Sequence, residues 1–179
     1  MARPYQPSLL RLLHGGTSLL VMVAWFSGLA VYSQYDGRWG RLPLVFKGDW
    51  IDIHGSLAVP LVPLALLFGL YAISLGRRRL NQPANAVALV ALALAIATGK
   101  LMHEDWLREG QVQHLIYSLH LLGWVGISAT VIWHLSSILK LGGLPLASSM
   151  ISLSRHKGDQ PRDWPSQIRR YFKTTSPRP

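Results

Sequence analysis

The sequence predicts an all-α integral membrane protein, a four-helix bundle with both termini cytoplasmic and a basic C-terminal tail. Three observations carry that expectation. Four apolar stretches each approach or exceed the ~20 residues that cross a bilayer as a helix. Half of the 179 residues are hydrophobic and only 15% are charged, against about a quarter in soluble domains. The lysines and arginines gather in segments that an even number of crossings would place on one side.

The first stretch covers about residues 9–32, LLRLLHGGTSLLVMVAWFSGLAVY. Its apolar core is too long for a signal peptide, and the following SQYDGRWGRL has no clear small-residue cleavage site, so it reads as a retained helix. The second, about 51–75, contains Pro60 and Pro63. Membrane helices tolerate prolines that would break a soluble one, because neighbouring groups re-satisfy the backbone. The third covers 84–102 and the fourth 114–141. Gly28, Gly69, Gly123 and Gly126 allow close approach of a neighbouring helix. The membrane domain is thus expected over 1–141 and a basic tail over 142–179. That tail is rich in Ser and Pro with few apolar clusters, and is expected to be flexible. Its WPSQIRRYFK segment suits an anionic membrane surface or a protein partner.

Arg3 and Arg11, the run Arg77, Arg78 and Arg79, and the tail cations from Lys140 to Arg178 fall on one side of four crossings. On the other side, Arg38, Arg41, Lys47, Lys100 and Arg108 are balanced by Asp36, Asp49, Asp52, Glu104, Asp105 and Glu109. The positive-inside rule makes the first side cytoplasmic. The net charge of +10 is therefore accounted for by topology, with no need of nucleic acid. There is no cysteine, which excludes disulfides, thiolate metal sites and covalently attached c-type haem. No nucleophile or acid–base dyad stands out, so a hydrolase has nothing to rest on.

The chemistry resides in the histidines. His120 and His134 lie in one apolar stretch, HLLGWVGISATVIWH, and an ionisable residue within a membrane span marks function by default. Their fourteen-residue spacing falls about 40° short of whole turns, so both rings share a helix face, about 21 Å apart along the axis. His14 begins the first span near the cytoplasmic side, and His54 begins the second near the other. Depths therefore match in pairs: His14 with His134, inner, and His54 with His120, outer. Isolated polar residues packed between helices are the bland alternative, and four histidines at two matched depths make it poor. A single zinc or copper site requires convergent ligands, which the rise between His120 and His134 forbids. A planar macrocycle clamped between two axial imidazoles at each level fits better, because histidine is a common axial ligand of haem iron. Gly15, Gly16 and Gly55 beside His14 and His54 leave room for a porphyrin face.

This arrangement resembles the four-helix di-haem cytochrome b561 family of bacteria, which includes the cytochrome b subunits of nickel–iron hydrogenases and formate dehydrogenase. His14, His54, His120 and His134 match that family's pattern of one ligand on each of the first two helices and two on the fourth. The resemblance covers about residues 5–141 and leaves the tail after Gly142 uncovered. The stretches RPYQPSLLRLLHG and YDGRWGRLPL are also similar to small cytochrome b/b6-domain proteins of cyanobacteria. The resemblance implies two non-covalent b-type haems and transmembrane electron transfer, with quinone/quinol or a redox protein as exchange partner. It further implies a bacterial cytoplasmic membrane, or a thylakoid membrane if the source is cyanobacterial, and assembly into a larger membrane complex or a homodimer. A haem-free membrane anchor or assembly subunit of a larger complex is the alternative.

Haem propionates need cationic or hydrogen-bonding partners. Arg11, one turn before His14, suits the inner haem, and Arg38 and Arg41 suit the outer one, with snorkelling to headgroups as the competing role. His103 and His114 bound the loop HEDWLREGQVQH, either as interfacial residues beside Trp106 or as proton-relay or quinone-site groups. His156 is expected to be solvated in the tail. Trp25, Trp39, Trp50, Trp106, Trp124 and Trp133 are expected near interfaces, without a redox role.

Overall fold

The computed structural model describes residues 4–35, 39–102 and 111–175. Its helices are α1 Ser8–Tyr35, α2 Trp50–Ile73, α3 Pro83–Met102, α4 Gln111–Ser149 and α5 Trp164–Thr175, with 3₁₀ turns at Arg77–Asn81 and Pro161–Asp163. No strand occurs among the described residues. The helices α1 to α4 contain four stretches long and apolar enough to cross a membrane, as the sequence predicts. Their outward faces agree: Leu19, Met22, Phe26, Val59, Leu66, Leu70, Val90, Leu122 and Ile132 are all exposed. Soluble proteins rarely leave so much contiguous apolar surface bare, whereas a hydrocarbon solvent makes it the favourable face.

The bundle is two antiparallel hairpins. α1 packs along α2 and α3 along α4, while close backbone approach between the hairpins is sparse. Small residues stitch each hairpin. A Cβ on Gly123 would lie 3.2 Å from the Ala95 Cα, so a larger side chain there would press on the α3 backbone, and one on Gly16 would lie 2.9 Å from a Leu64 methyl, which would have to move aside. Pro60 and Pro63 sit within an unbroken α2. Beyond α2 the chain reverses where the Gly76 N–H donates to the Tyr71 carbonyl at 2.8 Å. A Cβ at Gly76 would come within 3.1 Å of that same oxygen.

α4 continues past the expected end of the fourth span to Ser149, but with a break at Gly143, whose φ of 62° and ψ of −161° are not helical. A left-handed φ costs glycine little, and Pro145 lies just beyond.

The tail differs from the expected flexible segment. It folds back onto the start of α1, where Asp159 is buried. Its carboxylate accepts the Ser8 N–H at 2.7 Å and the Tyr5 hydroxyl. The Ser8 hydroxyl donates to the Asp159 carbonyl at 2.7 Å and receives the Trp164 indole N–H at 2.9 Å. His156, expected to be solvated, is exposed but stacks on Tyr5 with ring centres 3.6 Å apart. Asp159 therefore acts as a long-range cap. It brings a negative charge to the orphan N–H groups and positive dipole end of α1. Composition did not reveal this because the contacts rest on one carboxylate and two hydroxyls from positions far apart in sequence. The same contacts place the start of α1, the Arg77–Asn81 turn and the tail segment at one end of the bundle, and Arg79 joins them through the Gln6 side-chain oxygen.

Burial alone would push the Asp159 carboxyl up, but hydrogen bonds from Tyr5, Ser8 and Gln167 hold it below the usual carboxylate range. A depressed carboxyl stabilises the fold above its ordinary range and loses that contribution as pH falls through its lowered value. Asp159→Ala is expected to cost about 1 kcal/mol, as loss of a helix N-cap does, and to raise amide exchange across residues 150–164. In the unaltered protein the same increase appears only on acidification. Equal protection in both proteins at neutral pH would contradict the cap.

Candidate functional site

The sparse contact between hairpins is bridged at three levels. His14 on α1 faces His134 on α4, with ring centres 6.1 Å apart. His54 on α2 faces His120 on α4, also at 6.1 Å. Between these levels Trp25 and Trp124 stack at 5.0 Å with an interplanar angle of 17°. The Trp25 indole N–H donates to the Ser128 hydroxyl at 2.8 Å, and the Trp124 indole N–H to the Trp25 carbonyl at 3.3 Å. The structure thus brings the four expected histidines together in the two expected pairs, one α4 ring in each.

The spacing limits what the pairs can do. Imidazoles hydrogen-bonded directly to one another would have ring centres about 5 Å apart, given an N···N distance near 2.9 Å. Imidazoles trans across one metal ion, with bonds near 2.0–2.1 Å, would have them about 6.2 Å apart. Both observed pairs lie nearer the second distance than the first. Among the described residues no group of three or more His, Cys, Asp or Glu converges on one point. A metal held here would therefore take its remaining ligands from a non-protein group.

The outer pair is oriented by neighbours. The His120 Nδ1 lies 3.1 Å from the Ala95 carbonyl. A carbonyl only accepts, so Nδ1 carries the proton and Nε2 keeps its lone pair. Thr98 Oγ1, 3.1 Å from the same nitrogen, already donates to the Leu94 carbonyl at 2.7 Å. His54 Nδ1 lies 2.9 Å from Ser27 Oγ, which donates to the Ala24 carbonyl at 3.0 Å. The Ser27 oxygen is then an acceptor, and His54 also presents Nε2. Fixing one ring nitrogen to set the other as a ligand is the usual support of a metal-binding histidine. Glycines permit this fit: a Cβ on Gly28 would lie 3.2 Å from His54 Cε1, and one on Gly99 3.1 Å from His120 Cε1. A mainly apolar cavity of about 220 Å³ opens beside the pair, between Gly28, Tyr32, Trp39, Leu42 and Trp124. The loop after α1 closes over it, with the Tyr32 hydroxyl donating to the Gly40 carbonyl at 2.9 Å.

The inner pair has a different environment. His14 meets the edge of Phe68 at 5.7 Å. His134 Nδ1 and, one turn beyond His14, Thr17 Oγ1 are buried without a hydrogen-bond partner. Buried polar atoms are almost always satisfied, so this level is built to meet a further polar group. The residues that could hold a cofactor at the two levels are therefore His54 with His120 and His14 with His134.

The remaining expected residues are placed as follows. Arg11 is buried at the inner end, where its two terminal nitrogens donate to the carbonyls of Ser152 and Ser154, the latter at 2.6 Å. The structure thus seats it on the returning tail. Arg41 and His114 are exposed at the opposite end. Arg38, His103 and Trp106 lie outside the described residues. Sequence reasoning missed the tryptophan stack. Trp25 on α1 and Trp124 on α4 are each one helical turn or less from the level of the outer pair, and that coincidence was the available signal.

The chain matches no protein-family model, no curated protein and no solved structure. Fold and site define a helical membrane protein whose two hairpins meet through paired histidines at two depths.

Trp124→Leu removes both the stack and the indole bond to α1. An aromatic pair contributes about 1 kcal/mol beyond its buried area, so thermal unfolding in detergent is expected several degrees lower. The exciton couplet of the stacked indoles in circular dichroism is expected to vanish. An unchanged couplet would show that the rings do not stack.

Proposed function

We propose that this protein is a transmembrane electron carrier of the cytochrome b561 type, holding two b-type haems. His54 and His120 would ligate the outer haem through Nε2, and His14 and His134 the inner one. The single observation that carries this reading is the 6.1 Å ring separation in both pairs. Haem supplies the reversible one-electron chemistry, and the protein sets its ligation, spacing and dielectric. Ser27, Thr98 and the Ala95 carbonyl hold the outer imidazoles in one tautomer and orientation. The Trp25–Trp124 layer, on the inner side of the outer pair, keeps the hairpins at a fixed distance and excludes water from the path between levels.

Two histidine levels about 21 Å apart suit transfer from one face of the membrane to the other. Quinone/quinol or a redox protein is the exchange partner, and the arginine-rich end is cytoplasmic under the positive-inside rule. The setting is a bacterial cytoplasmic membrane or a thylakoid membrane, with a larger membrane complex or a homodimer as the assembly.

His120→Ala is expected to lose the outer haem and keep the inner one, and His134→Ala the reverse. Pyridine haemochrome counts per chain would read this directly. Retention of both haems by either variant would sink the pairing, and a haem-free unaltered protein would leave a membrane anchor as the function.

Ser27→Ala tests the orientation of the outer ligand. Outer-shell partners of metal ligands typically contribute 10- to 100-fold in affinity, so the outer haem is expected to dissociate on the order of tenfold more readily. The inner haem serves as the internal control, and equal loss of both would contradict the assignment of Ser27 to the outer level.

A further inference from the structure

At the end of the bundle where the tail returns, a second cavity of about 450 Å³ opens between the α2–α3 connection and α5. Its walls are Ser74, Leu75, Arg77, Arg78, Asn81 and Tyr171. Two guanidinium groups and an amide face this space, and no carboxylate is among its lining residues. The third arginine of the run, Arg79, is engaged elsewhere through Gln6. Arg77 and Arg78 are exposed, and they stand on a 3₁₀ turn fixed by backbone bonds from Arg77 to Ser74, Arg79 to Gly76 and Gln82 to Arg79. The chemistry is that of a site for a phosphate-type anion, which arginine binds with a forked donor set.

The surroundings decide where that anion comes from. The apolar stretch of α2 ends at Ile73, and Arg77 follows four residues later in the turn that reverses the chain, where a membrane-spanning α2 would meet the headgroup region. α5 forms the other wall and is strongly amphipathic. At ~100° per residue, Trp164, Ile168, Tyr171 and Phe172 share one face, and Arg169, Arg170 and Lys173 fall opposite. Trp164 anchors one end of α5 to Ser8, and Tyr171 lines the cavity. Ile168 and Phe172 remain exposed, by 38% and 63%. An apolar edge beside a cationic face is the pattern of a helix lying in the headgroup–acyl boundary. A soluble anion would use the arginines and leave that edge in water, whereas a phospholipid uses both.

We propose that the Arg77–Asn81 turn and α5 form a binding site for an anionic phospholipid. Arg77, Arg78 and Asn81 take the headgroup phosphate, and Ile168 and Phe172 lie against the acyl chains. The site is independent of the histidine pairs and of any redox role. It gives the tail clamp a purpose, because Asp159 and Trp164 fix the start of α5 against Ser8 and so keep Tyr171 beside the turn.

The test is native mass spectrometry of the full chain, purified in neutral detergent and titrated with dioleoyl-phosphatidylglycerol or dioleoyl-phosphatidylcholine. The unaltered protein is expected to retain the anionic lipid selectively. Each cation near an anionic headgroup contributes on the order of fivefold in binding, so Arg77→Gln and Arg78→Gln should each lower retention by about that factor and the double variant more. Lys157→Gln with Arg162→Gln removes the same charge from exposed tail positions outside the cavity and is expected to leave retention unchanged. Equal retention of both lipids, equal loss in the tail variant, or displacement of the lipid by millimolar inorganic phosphate would overturn the proposal. The single variants alter exposed side chains of a turn held by its backbone, and unchanged helical circular dichroism verifies their folding.

Discussion

Four imidazoles placed within membrane spans are the constraint on which the rest of this structure depends. An ionisable ring in hydrocarbon is costly unless something meets it, and these rings are too far apart to satisfy one another directly. The rings are separated by 6.1 Å in both pairs. This separation follows from two hairpins that are each tightly packed but held apart from one another. Small residues bring α3 against α4 and α1 against α2, and bulky aromatic and imidazole rings occupy the space between. A bundle packed uniformly would have brought the histidines into hydrogen-bonding contact or separated them altogether.

The two levels are not equivalent, and the difference is chemical. At the outer level every Nδ1 has an oxygen neighbour, and a loop carrying Trp39 and Leu42 covers a cavity beside the rings. At the inner level His134 Nδ1 and Thr17 Oγ1 are buried and unpaired. The tail seals that end of the bundle by binding Arg11 and capping α1. The membrane domain and its C-terminal segment are thus joined by the hydrogen bonds of Asp159, Ser8 and Arg11 together with the packing of Met150 against Leu10, Leu13 and Tyr71. That junction responds to pH through Asp159, which accepts from Tyr5 and Ser8.

Much of this was legible in the sequence, and the reason is that membrane physics is one-dimensional. Hydropathy marks the spans, the helical rise converts His120 and His134 into depths, and alternation of direction assigns His14 and His54 to matching levels. Pro60 and Pro63 misled nothing, because a span of that apolarity stays helical through them. What escaped was of another kind. The contacts of Asp159 with Ser8 and of Arg11 with Ser152 join positions some 140 to 150 residues apart, and no periodicity records such partners. The Trp25–Trp124 stack depends on rotation about two helix axes, which depth alone leaves undetermined. Arg11 shows the limit well: its proximity to His14 suggested a cofactor partner, while the carbonyls of a returning strand of chain compete for the same donors.

The proposed function requires each histidine pair to hold one haem. The most direct measurement is the haem content and spin state of the unaltered protein, by pyridine haemochrome and low-temperature electron paramagnetic resonance. The account predicts two b-type haems per chain, both low-spin and six-coordinate, as bis-imidazole ligation requires. A protein without haem, with one haem per chain, or with a high-spin five-coordinate signal at full occupancy would contradict it.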